Sequence, residues 1–310
     1  MTKTDFSSDF KNDVSAHRKI KQSTGEKIFS ICNYIFFFLL AVAMIYPLWH
    51  QLTMSLSSVH KAAAGGLFFW PKEFTLATYK TVLRNPNIIS GFRVSVLVTA
   101  TGTLLGTFIS AMLAYPLSKL KLRGGSIFMF AILFTMLFNG GMIPNYMLIR
   151  DLGMFDTHWA QILPPLCSAF NIIIMRNFFM SIPASLEESA RIDGANDVYI
   201  FFRIIIPLSK ATIATIALFT AVTYWNDFMS TIIYINTKTK WSMQAELRYL
   251  INSTIQALST TGLEVTADTA VSENTIKAGS IVVTVMPILI VYPFLQKYFV
   301  KGVMVGSVKG

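Results

Sequence analysis

Charge is scarce in this sequence: Asp, Glu, Lys and Arg together make up 14% of its 310 residues, against about a quarter in a typical soluble domain. With 53% of residues hydrophobic and a mean hydropathy of +0.54, that shortage excludes one or two soluble domains and places the chain in a bilayer. Cysteine is scarce too. Cys32 and Cys167 both fall in apolar runs, where a thiol is an ordinary packing residue, so neither a disulfide framework nor a thiolate metal site is expected. The four histidines, at positions 17, 50, 60 and 158, lack metal-ligand spacing. A phosphate-binding G-x-x-x-x-G-K-[ST] run is missing, so the chain itself is expected to bind neither ATP nor any other cofactor.

What is present is apolar length. Stretches of about 20 apolar residues fall near 28–50, 94–117, 126–149, 159–180, 207–235 and 279–300. These predict an all-α integral membrane protein with six transmembrane helices. The 26 Lys and Arg, which outnumber the acids to give a formal charge of +10, lie mostly between apolar runs rather than in one patch interleaved with aromatics. That pattern argues for membrane orientation over nucleic-acid binding. Lys119, Lys121 and Arg123 share one short loop, Arg176, Arg191, Arg203 and Lys210 surround another, and Lys297, Lys301 and Lys309 lie near the end. By the positive-inside rule both termini and these loops face the cytoplasm.

The expected organisation is a cytoplasmic arm over 1–27, a six-helix transmembrane domain over 28–302 and a short tail over 303–310. Long external loops fall at 51–93 and 236–278. The arm carries Asp5, Asp9 and Asp13, which do not suit a signal peptide, and the first span is expected to stay attached. Pro47, Pro116, Pro144, Pro164, Pro165, Pro207, Pro287 and Pro293 interrupt the spans; such breakers are tolerated in packed bundles and along water-filled pathways. Gly102, Gly106, Ser110 and Ala114 recur every four residues, a stripe that lets another helix approach closely.

The cytoplasmic segment over 185–207 is distinctive. Ser185 with Glu188 matches a capping box, Gly194 suits a left-handed helix stop, and Asn196 with Asp197 can cap a second helix. The expected product is a rigid helix-turn-helix knob. Glu188-Ser189-Ala190, three residues, Gly194, nine residues, then Ile204-Ile205-Ile206-Pro207 resembles the signature of ABC importer permeases, E-A-A, three, G, nine, I-x-L-P. Ser189 replaces the first Ala and Ile206 replaces Leu. The segments Phe138-Asn-Gly-Gly-Met-Ile-Pro144, Trp225-Asn226-Asp227-Phe228 and Tyr292 to Gly302 are similar to the carbohydrate-uptake-1 branch, within it to the second permease of oligosaccharide importers of the LplC and polygalacturonan type.

The resemblance implies a type I importer permease in a bacterial plasma membrane. It would form a heterodimer with a second homologous permease and work with two ATPase domains that bind ATP and Mg, and with an extracellular or periplasmic sugar-binding protein. The knob would be the coupling helix. Glu188 is expected to pair with a base on the ATPase, Ala190 and Gly194 to allow close approach, Pro207 to end the knob, and Ser189, Arg191, Asp193 and Ile204 to complete the contact surface. Asp227 is the one acid well inside an expected span, which makes it a functional candidate. Trp225 and Asn226 beside it would suit a sugar's apolar face and hydroxyls. Asp227 also lies 20 residues past Pro207, about 30 Å along an ideal helix, where capping or water contact would serve equally. An ion-coupled secondary transporter, or an ABC permease for a non-sugar solute, is the alternative.

Overall fold

In the computed structural model the described residues are 23–58, 61–62, 66–119, 122–260, 274–290 and 293, with backbone alone at 251 and 253–260. The N-terminal arm through residue 22, the middle of the expected external loop 236–278, the end of the sixth expected span and the tail 303–310 lie outside them. Among the described residues every regular element is helical: α1 Thr24–Ser55, α2 Ala77–Arg84, α3 Pro86–Leu117, α4 Gly125–Leu137, α5 Met142–Asp151, α6 Ala169–Ser181, α7 Ala184–Ile192, α8 Asp197–Leu208, α9 Lys210–Asn226, α10 Met229–Tyr234, α11 Met243–Thr260 and α12 Asn274–Ile290.

Residues 1–50 form one unit and residues 51–310 a second. In the first, α1 opens on a capping box: the Glu26 amide donates to Ser23 Oγ at 3.3 Å and the Ser23 amide to Glu26 Oε2 at 2.8 Å. Its apolar side chains, among them Phe36, Phe37 and Phe38, are exposed, as befits a helix whose solvent is lipid or a partner. Cys32 and Cys167 are exposed as well, which corrects the expectation of packing residues. The outside of a membrane chain is itself apolar, so an apolar run does not imply an interior position.

In the second unit α3 is the central helix, packed mainly on α9 and α6. Asn85 caps it, its side chain accepting from the Asn87 amide at 3.0 Å, and Pro86 fits the first helical turn. It begins inside the expected external loop 51–93, so only residues up to 85 remain outside it. Its buried face runs through Val94, Val98, Gly102, Gly106, Ser110 and Ala114, the stripe expected from the sequence. At Gly102 a Cβ would sit 2.5 Å from the Tyr224 ring of α9. That ring is fixed by Tyr224 Oη donating to the Ile162 carbonyl at 2.7 Å, and Asn171 Nδ2 of α6 donates to Thr220 Oγ1 of α9 at 3.1 Å.

Among the described residues two helices are long and apolar enough to cross a membrane, or up to five if each bent pair counts as one span. The expected third span is one of these pairs, α4 and α5 meeting at 113°. Gly141, at φ +90, and Asn139, whose Oδ1 accepts from the Gly141 amide at 3.0 Å, make the break. The expected fourth span is a single turn, Trp159–Ile162, followed by α6, and the expected fifth is α9 followed by α10.

On the side of the bundle reached by the ends of α5 and α10, Asp156 holds two loops together. Its carboxylate accepts from the Asn236 and Thr237 amides at 3.0 and 2.9 Å, from Thr237 Oγ1 at 2.7 Å and from Lys240 Nζ at 2.9 Å. These donors hold its carboxyl well below the usual carboxylate range. A depressed pKa contributes stability at all pH values above the unfolded value and loses it as pH falls through the folded one. Hydrogen-exchange protection at Asn236 and Thr237 should therefore be flat from neutral pH down to about 4 and decline below. Asp156→Asn should accelerate exchange at these amides by about tenfold at pH 7, the loss of charge-assisted bonds.

Candidate functional site at the helical knob

The knob is α7, a turn and α8. The expected capping box is absent: the N-cap residue is Pro183, with no side-chain cap bond, and Ser185 lies within the first turn. Pro183, at φ −57, sets the chain for helix entry by its ring, so α7 starts at Ala184, ahead of where a Ser185 cap would place it. Ser189 Oγ instead donates to the Ser185 carbonyl at 2.8 Å.

The turn follows the expected chemistry. Gly194 adopts φ +84; its amide donates to the Arg191 carbonyl at 3.0 Å while the Ala195 amide donates to the Ala190 carbonyl at 2.9 Å, a Schellman stop. Asp193 is the C-cap. Asn196 Oδ1 accepts from the Tyr199 amide at 2.8 Å and caps α8. Arg191 Nη2 meets Asp197 Oδ1 at 2.5 Å across the turn, with both side chains exposed. Nothing lies within 4 Å of a Cβ built on Gly194, so the cost of a side chain there is conformational alone. Gly194→Val should destabilise the knob by about 1–3 kcal/mol, seen as faster proteolysis within residues 184–196.

The knob rests on a core cluster in which Tyr115 of α3, Met175 and Phe179 of α6, Ile200, Phe201 and Ile205 of α8 and Ile216 of α9 are buried, with Ala190, Ala195 and Ile204 packed against it. Residues Phe201–Ile205 form a π turn. Pro207, which lacks an N–H and so leaves the Arg203 carbonyl without its usual partner, does not itself end the knob. The chain bends by 82° at Ser209, between α8 and α9.

Two adjacent carboxylates have opposite surroundings. Glu187 is half-buried and forms an ion pair with Lys119 through both oxygens. Glu188, rotated by about 100° on the helix, is exposed and makes no hydrogen bond or ion pair among the described residues. The knob also exposes apolar side chains, including Ile192, Val198 and Tyr199.

The three residues expected along a solute path do not form one cluster. Trp225 is buried, stacks edge-on against Phe92 at 6.2 Å and lines an apolar cavity of about 720 Å³ with Thr103, Phe108, Phe202, Ala221 and Pro287. Asn226 is exposed, its Nδ2 donating to the Val222 carbonyl at 3.0 Å. Asp227 closes α9 and engages the next turn: Oδ1 accepts from the Ser230 amide at 3.1 Å and Oδ2 from Ser230 Oγ. Its two oxygens are thus used locally. Glu187, Lys119 and Asp156 were not singled out by sequence, since each finds its partner 68 or more residues away.

The model of one protein family, described as the binding-protein-dependent transport system inner membrane component, matches residues 17–305. The chain belongs to this family. This permease is 43% identical over 286 residues to the polygalacturonan/rhamnogalacturonan transport system permease protein YtcP of Bacillus subtilis, with 92% of this chain and 99% of YtcP covered. Protein LplC of the same organism is 41% identical over 284 residues, covering 92% of this chain and 96% of LplC. Among solved structures, a chain of a bacterial ABC transporter involved in the import of the acidic polysaccharide alginate superposes with a TM-score of 0.81 at 35% identity, covering 90% of this permease and 99% of that chain. The protein is therefore an ABC importer permease, an all-helical inner membrane component, and the knob lies within the matched region.

Proposed function

We propose that this permease imports a carbohydrate, an oligosaccharide, as one of two homologous permeases that pair to form the translocation pathway. The proposal includes six membrane spans with both termini in the cytoplasm of a bacterium. ATP and Mg are bound and used by two partner ATPase domains, and an external sugar-binding protein delivers the solute. The observation that carries the reading is Glu188, exposed and without a hydrogen bond or ion pair among the described residues, on a knob closed by the Gly194 stop. Glu188 meets a base on the ATPase, Ser189, Arg191 and Asp193 add polar contacts, Ala190 and Gly194 let the knob seat closely, and Ile204 and Pro207 join it to α9. The relatives' polysaccharide names support the choice of carbohydrate. Of the path candidates, Asn226 presents an exposed amide for sugar hydroxyls, Trp225 supplies an apolar wall, and Asp227 shapes the turn beside them.

The test is to tag the chain, extract it in mild detergent from its native membrane and identify stoichiometric companions by mass spectrometry. A second permease and a nucleotide-binding ATPase are expected. A lone chain or a homodimer without ATPase under several mild detergents would overturn the proposal. A binding protein recovered with the complex can be screened against oligosaccharides, and selective binding of a non-sugar solute would overturn the substrate assignment.

A further inference from the structure

The knob is joined to the bundle through two sharp bends, 72° between α6 and α7 and 82° between α8 and α9. At each bend the helical hydrogen-bond ladder is interrupted, so push or pull on the knob does not travel along a continuous rod. A side-chain link crosses the gap instead. Glu187 in the first turn of α7 engages Lys119, which lies just past the end of α3. Among the described residues it is the one ion pair between the knob and a bundle helix. Its side chains are 13% and 29% exposed, which holds the pair more firmly than the open Arg191–Asp197 pair.

The base of this link is stiff. Lys119 Nζ lies 4.1 Å from the centre of the Tyr115 ring, which packs against Phe201 of α8 at 5.3 Å and Phe179 of α6 at 6.5 Å. Arg176 Nε of α6 donates to the Leu117 carbonyl at 2.8 Å and secures the last turn of α3. From there α3 runs 32 residues, about 48 Å, packed against α9 through the glycine stripe and along the cavity wall. Movement of its end is delivered along its length.

We propose that the Lys119–Glu187 ion pair is the strut through which the knob moves α3. Lys119 and Glu187 are thus positioning residues for transport. The proposal rests on the knob being the ATPase-docking element, and it divides the labour of neighbouring acids: Glu188 faces the partner, Glu187 faces the permease's own bundle.

The test uses the whole complex with its ATPase in lipid nanodiscs. Spin labels are placed through Ser185→Cys on the knob and Leu104→Cys on α3, with Cys32 and Cys167 replaced by serine. In the otherwise native chain the knob-to-α3 distance should hold through ATP binding and hydrolysis, because the two move as one body. In Glu187→Gln, with ATP hydrolysis retained, a second distance should appear on ATP addition, its population raised about five-fold or more over the native chain. The swap Lys119→Glu with Glu187→Lys should restore the single distance. An unchanged distance in Glu187→Gln, no restoration by the swap, or loss of the ATPase from Glu187→Gln complexes would each overturn the strut; the last would make the pair a support for the knob's fold. Failure of the native chain to bring down any ATPase would instead remove the docking reading beneath it, and the strut with it.

Discussion

Glu188→Ala is expected to leave the permease inserted and its knob folded while ATP-driven uptake falls by about a hundredfold. Alanine is the best helix former, and Glu188 gives up no hydrogen bond or ion pair of its own chain among the described residues, so the substitution has little to disturb in the isolated subunit. The loss belongs to the assembled state. Truncating one member of a charge pair desolvated at an interface costs about 2–5 kcal/mol, much of it from the base left unpaired. Glu188→Gln, which keeps shape and loses charge, should fall between the two. The measurement is uptake in membrane vesicles set beside recovery of the ATPase on the tagged chain. Undiminished uptake in Glu188→Ala would show that docking does not pass through this carboxylate.

The other large effect is packing. Gly102→Leu should lower the stability of the purified permease by about 3 kcal/mol, read as a lower melting temperature in detergent. Alanine in a helix is ordinarily about 1 kcal/mol better than glycine, so propensity favours the substitution and sterics oppose it. Sterics win because the first added carbon would already stand 2.5 Å from a Tyr224 ring that is tethered to Ile162. The ring cannot swing aside without breaking a buried hydrogen bond. Tyr224→Ala alone should also destabilise, yet in the same chain as Gly102→Leu it should recover part of the loss, a favourable coupling in a double-mutant cycle. Strictly additive losses would show that α3 and α9 do not meet at this point.

Features set by a few neighbouring residues were legible in the sequence. Gly194 and Asn196 announced the stop and restart of the knob because turn chemistry is local, and the four-residue recurrence of Gly102, Gly106, Ser110 and Ala114 announced the face on which α9 rests. Local patterns also misled where two caps competed: Ser185 and Glu188 had the spacing of a capping box, but Pro183 opens the helix ahead of them. Hydropathy over 126–149 hid a 113° break because Asn139, Gly140 and Gly141 cost little in an average over some twenty residues, although glycine pairs are what allow such a turn. The Lys119–Glu187 and Asp156–Lys240 contacts had no local signal. Each joins residues that only the folded topology brings together, and a lysine in a cytoplasmic loop reads equally well as an orientation charge.

The opposite facing of Glu187 and Glu188 bears on which changes of chain length the knob can survive. One residue is about 100° of helix, so inserting a single position between Pro183 and Glu187 would turn Glu187 to the outer side with Leu186 toward the bundle, and deleting one would turn Glu188 toward the bundle with Ser189 outward. The segment behaves as a keyed shaft: its composition has latitude, as Ser189 in place of alanine illustrates, whereas its count does not.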